Sequence, residues 1–209
     1  MGTPRRAAGG CCYDAAMRLP TLDELREFEI DWQPVSRAAL IAWSVFYVLI
    51  LWSIVRAPVS PFFDVFWVPI HEGGHVLFGW FGEWLGVAGG TLLPLLAAGG
   101  LLAHFALRGH TAGAAFCAFF LFENLIGVSI YMADARAIAL DYVSIGGGDG
   151  GDTIHDWQYM FIKFGVLHYD TKIAAVVRAV SWLGMLGSMA WLGWMHVKTR
   201  DKVKEWERV

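Results

Sequence analysis

From Ala38 to Ala133 the chain carries only six charged residues: Arg56, Asp64, Glu72, Glu83, Arg108 and Glu123. Its 16 basic and 19 acidic residues are otherwise confined to residues 1–37 and 134–209. An unpaired charge in hydrocarbon is costly, so a charge-poor centre between charged ends is the pattern of a helical bundle built for lipid. Composition agrees. The chain is 56% hydrophobic and 17% charged, where a soluble domain carries about 25% charged residues. Such hydrophobicity excludes intrinsic disorder. A net charge of −3 offers no basic excess for phosphates, which excludes nucleic acid as a partner. Three cysteines, Cys11, Cys12 and Cys117, supply no disulfide framework.

The apolar runs predict an all-α integral membrane protein of about five transmembrane helices, with spans near 38–55, 62–81, 84–107, 111–132 and 179–195. The third is interrupted by Gly89-Gly90, Pro94 and Gly99-Gly100, and reads as kinked or re-entrant. Irregular backbone at membrane depth must be packed inside protein. Before the spans, residues 1–36 form an N-terminal arm. Thr21 and Glu24 make a capping-box pattern ahead of Leu22, Leu25 and Phe28, which predicts a short amphipathic interfacial helix over Leu22–Ile30. Residues 133–172 read as the one long polar loop, with a flexible linker at Gly146–Gly151. Residues 198–209 form a basic tail, and its five basic residues beside a span favour the cytoplasmic side. Five spans would put the chain ends on opposite sides; four would put them together.

The chemistry-bearing motif is His71-Glu72-Gly73-Gly74-His75. On a helix, residues four apart share a face, so both imidazoles can reach one Zn2+. Glu72 beside them can act as the general base toward a metal-activated water. With 7 histidines in 209 residues, a chance H-E-x-x-H has a likelihood of about 0.9%. The motif lies midway along the 62–81 run, so it is expected about mid-bilayer, a depth at which ionisable groups mark function.

Two histidines need a third protein ligand, leaving one position for water. Asp134, His155, Asp156 and Glu123 are candidates, with Asp134 ranked first and His155 second. Asn124, Gly127, Tyr131 and Asp134 recur at spacings of 3, 4 and 3 and make one polar stripe that can face the metal helix. An interfacial ion pair with Arg136 is the other role open to Asp134. His104 reads as a helix contact, and His110, His168 and His196 as interfacial residues near span ends.

Val68–Gly79 (VPIHEGGHVLFG), followed by Gly89-Gly90, resembles the zinc helix of the site-2 protease superfamily of intramembrane metalloproteases. Together with Tyr131-Met132-Ala133-Asp134-Ala135-Arg136 and Ile154-His155-Asp156-Trp157, it is similar to a bacterial branch of that superfamily over roughly residues 60–160. The resemblance implies Zn2+ held by His71 and His75, Glu72 as general base, and a carboxylate third ligand best matched by Asp134. It also implies residence in the bacterial inner membrane. The expected function is a membrane-embedded zinc metallopeptidase that hydrolyses peptide bonds of transmembrane substrates. The alternative is a non-catalytic transmembrane subunit that retains this scaffold and docks into a larger membrane complex, one that can carry cofactors or pigments. Either way the chain's surroundings are lipids and other transmembrane proteins.

Overall fold

The computed structural model describes residues 30–57, 61–140 and 155–202, with residues 61–65 described by backbone alone. The expected helix over Leu22–Ile30, the N-terminal arm and the Gly146–Gly151 linker lie outside the described residues. Within them the chain is helical, with α1 at Arg37–Arg56, α2 at Pro61–Gly79, α3 at Glu83–Leu107, α4 at Thr111–Ala133, α5 at Asp156–Lys163 and α6 at Asp170–Lys198. A single 3-10 turn, Leu167–Tyr169, leads into α6. No strand occurs among the described residues.

Four stretches are long and apolar enough to cross a membrane: Arg37–Arg56, Glu83–Leu107, Thr111–Ala133 and Leu167–Lys198. The all-α membrane architecture therefore stands, but α2, expected as the second span, is not among the four. It carries Asp64, His71, Glu72 and His75 within 19 residues, which lowers its hydropathy below that of its neighbours.

Local sequence explains most boundaries. Ser36 caps α1, its Oγ accepting the Ala39 N–H at 3.1 Å, and Ala57 is extended (φ −135°, ψ 107°), as a residue before proline prefers. The glycine-interrupted segment is a continuous 25-residue helix, α3, through Pro94. None of its glycines breaks it: Gly86, Gly89 and Gly90 pack against α2, and Gly99 and Gly100 face open space. α6 starts at Asp170, earlier than the expected 179. Asp170 is fully buried, but Arg136 Nη2 and Nε lie 2.7 and 2.8 Å from its carboxylate oxygens. A carboxylate is also favourable at a helix N-terminus, and Asp170 Oδ1 accepts the Thr171 N–H. Hydropathy alone reads such a paired charge as loop.

The helices share two ends. At one, Gln33 N–H donates to Gly109 O, Thr111 Oγ1 donates to Gln33 O, and His196 Nδ1 donates to Val35 O at 2.7 Å. The start of α1, the α3–α4 turn and the end of α6 therefore meet there, with a Lys202–Asp31 ion pair beside them. We call this the terminal end. The opposite, site end holds the end of α4, the start of α3 and α5, whose Phe164 ring lies edge-on to Trp84 at 6.0 Å. α1 runs from the terminal end and α3 runs back to it. The intervening α2, joined to α3 by a short turn at the site end, runs in the same sense as α4, with Trp67 beside Glu123 and His71 beside Tyr131.

The central core joins α1, α4 and α6 through Tyr47, Phe119, Phe120, Ile126, Met185 and Leu192, with Tyr47 and Phe119 stacked at 4.5 Å. Trp67 of α2 packs against it. A second cluster at the site end, Met132, Ala135, Phe161 and Ala174, anchors α5 to α4 and α6.

Candidate metal centre

The site begins with glycine. α2 and α3 form a hairpin in which Gly74 faces Gly89 and Gly90 so closely that a Cβ on Gly74 would lie 2.1 Å from Gly89 O. A Cβ on Gly89 would lie 2.4 Å from Gly74 O, and one on Gly90 2.5 Å from His75 Nε2 and 2.7 Å from His71 Nε2. Missing side chains let the two backbones touch, as small residues do between membrane helices. At Gly90 they also leave open the space beside both imidazole nitrogens.

Among the described residues one group has metal-ligand character: His71, His75 and Asp156. His71 Nε2 and His75 Nε2 are 3.0 Å apart, and Asp156 Oδ2 is 3.1 Å from the first and 3.3 Å from the second. Bonds of about 2.0 Å to nitrogen and oxygen give a tetrahedron an edge of about 3.3 Å, so the three atoms match one face of a zinc coordination shell. Two further observations fit a cation. His75 Nδ1 donates to Gly86 O at 2.8 Å, which fixes its proton there and leaves the Nε2 lone pair for a metal, a usual outer-shell arrangement. Asp156 is 7% exposed, and a buried carboxylate is costly unless positive charge, from a metal or a protonated imidazole, lies beside it.

Asp156 is brought to α2 by the end of α4. Its backbone N–H donates to Tyr131 Oη at 3.2 Å, and Tyr131 lies 6.1 Å from the His71 ring. His155 caps α5, its Nδ1 accepting the Gln158 N–H at 3.2 Å, and stacks on Tyr131 at 4.3 Å. Its Nε2 is 3.6 Å from Asp134 Oδ2. Burial pushes the His155 imidazole below its ordinary pKa, keeping it neutral and able to accept. Asp134 accepts backbone N–H groups from Ala139 (2.9 Å) and Leu140 (3.2 Å).

The sequence-ranked residues thus fall into two sets. His71 and His75 converge as expected. Asp134 and His155 sit together behind Asp156, outside the three-atom group. Glu123, a further candidate, accepts from Trp67 Nε1 at 3.2 Å, one turn before His71. Arg136 pairs with Asp170, not with Asp134. Of the polar stripe, Tyr131 and Asp134 line the site, Asn124 is buried, and Gly127 is exposed with open space around its Cα. A signal for Asp156 existed: an acidic residue directly after a capping residue at the start of a short amphipathic helix has a fixed direction. Two of the other histidines serve structure at the terminal end, where His110 Nδ1 donates to Gln33 Oε1 at 2.8 Å and His196 holds Val35; His104 lies edge-on to Phe105, and His168 packs on Tyr169 in the turn before α6.

His71 lies beside Tyr131, near the final turn of α4, with ring centroids 6.1 Å apart. The motif therefore packs beside the site end of α4. The side chains of His71 and His75 are 25% and 28% exposed, against 7% for Asp156, so the two histidines can be approached from outside.

No family model, curated protein or solved structure matches the chain.

Proposed function

We propose that the chain is a membrane-embedded zinc hydrolase of peptidase type, acting on peptide bonds of membrane proteins. The observation that carries this reading is the triangle of His71 Nε2, His75 Nε2 and Asp156 Oδ2, with sides of 3.0–3.3 Å, beside the unsubstituted Gly90. Two imidazoles and one carboxylate are a donor set suited to zinc. When bound there, the ion supplies Lewis acidity, polarising a carbonyl and making water acidic near neutral pH. The chain's own part is positional. His71, His75 and Asp156 hold three positions, and Glu72, half-buried and adjacent to His71, takes a proton from the attacking water and returns it to the leaving amine. Partial exposure of the histidines lets an unwound peptide segment approach while the buried Asp156 stays dry.

The test is Glu72→Gln in purified full-length protein. It should keep one zinc per chain and lose about 10²–10⁴-fold in cleavage of a single-span reporter peptide, the range expected for removing a general base. Wild-type protein without stoichiometric zinc at neutral pH would overturn the reading.

A second reading, a non-catalytic subunit of a larger membrane complex, has its own support. Gly99 and Gly100 on α3 and Gly187 and Gly193 on α6 face open space, and small residues of this kind admit partner helices. A subunit should co-purify with larger partners in a fixed ratio that Glu72→Gln leaves unchanged.

Orientation follows from the basic residues. Arg37, Arg108, Lys198, Arg200 and Lys202 flank the terminal end; Arg5, Arg6, Arg18 and Arg26 precede α1, and Lys204 and Arg208 follow α6 in sequence. The site end is flanked by Arg56, Arg136, Lys163 and Lys172. The positive-inside rule then makes the terminal end cytoplasmic, in a bacterial inner membrane, and the metal centre opens near the opposite face. In a background lacking the three native cysteines, Ala137→Cys should react with an impermeant maleimide in intact spheroplasts, and Lys202→Cys only after lysis. The reverse pattern would invert the topology.

A further inference from the structure

We infer that Asp134 and His155 are positioning residues, which with Tyr131 hold Asp156 against the two histidines without themselves binding metal; the inference rests on the metal reading of the His71, His75 and Asp156 group. The chemistry of each side chain carries it. A neutral imidazole has one lone pair. That of His155 accepts the Gln158 N–H at Nδ1, so the proton is on Nε2, which faces Asp134 Oδ2 at 3.6 Å. No lone pair of His155 is left for a metal.

Asp134 is similarly occupied. Oδ1 accepts from Ala139 and Oδ2 from Leu140, and Oδ2 also faces His155. The carboxylate therefore fixes the chain leaving α4 and the residue that opens α5. Tyr131 completes the set: its ring supports the His155 ring at 4.3 Å with 25° between planes, and its hydroxyl receives the Asp156 N–H. All of these anchors come from the last turn of α4 or just beyond it, and act on residues 155 and 156. A ligand 85 positions from His71 in sequence is thereby delivered by a helix end that touches both.

Cobalt(II), as a spectroscopic stand-in for zinc, distinguishes holding from ligating. In full-length protein, Asp134→Ala and His155→Ala should each weaken cobalt binding about 10–100-fold, the range for loss of an outer-shell partner. At saturating cobalt both should still bind one ion per chain with the wild-type visible band. His155→Asn, which keeps a capping oxygen for Gln158, should recover part of the loss. Tyr131→Phe, which keeps the stacked ring and spares the fold, should cost about 2–10-fold, one hydrogen bond.

If Asp134→Ala or His155→Ala abolishes binding at saturation, or moves the band as His71→Ala does, that residue is a ligand and the inference is wrong. Affinities within twofold of wild type for both would also overturn it. Should His71→Ala itself leave cobalt binding unchanged, the metal reading fails and takes this inference with it.

Discussion

Gly74→Ala is expected to part α2 from α3, at a cost of about 3 kcal/mol or more, the upper range for overpacking. The added methyl would sit 2.1 Å from Gly89 O and 3.0 Å from Gly90 N. Those atoms are backbone of a continuous helix and cannot rotate away, so one helix must shift. Gly73→Ala is the control one residue away. Its Cβ would meet only Leu93 Cδ2 at 3.8 Å, an ordinary contact, and alanine inside a helix is favoured over glycine by about 0.5–1 kcal/mol. The two neighbouring substitutions should therefore have opposite signs in a denaturant titration of the detergent-solubilised protein. Gly90→Ala should separate stability from the site, because its Cβ would fall 2.5–2.7 Å from atoms of both imidazoles and metal binding would be lost. Equal stability for Gly73→Ala and Gly74→Ala would mean that the helices do not meet through these glycines.

That contact also marks where sequence could be read and where it could not. The HEGGH spacing places two imidazoles on one face whatever surrounds the helix, so the convergence of His71 and His75 follows from helical periodicity alone. The long apolar runs of α1, α3 and α4 need no tertiary partner to be recognised. Two features depended on partners far away in sequence. Asp170 opens α6 because Arg136 neutralises it, and a hydropathy pattern reads the two charges as loop when it cannot see the pairing. The glycines of α3 pose the same problem: alone they weaken a helix, but opposite Gly74 they let two backbones meet.

Asp156→Ala should cost more metal affinity than either outer-shell substitution, above the about 10–100-fold range, because it removes a donor and leaves two histidines to hold the ion. The carboxylate is separated from the nitrogens by 3.1 and 3.3 Å and is 7% exposed, so water is poorly placed to replace it. Asp156→His offers a nitrogen donor from the same backbone position and makes a three-histidine set, which also binds zinc. It should regain measurable affinity, with a cobalt band displaced from wild type because a nitrogen has replaced an oxygen. Asp156→Asn keeps the size but gives up the charge, and should fall between alanine and wild type. The ordering alanine, asparagine, wild type in cobalt affinity, with histidine spectroscopically distinct, is what a direct carboxylate ligand requires. If Asp156→Ala instead binds cobalt as tightly as wild type with an unchanged band, the third donor is another residue and the triangle of atoms is not the coordination shell.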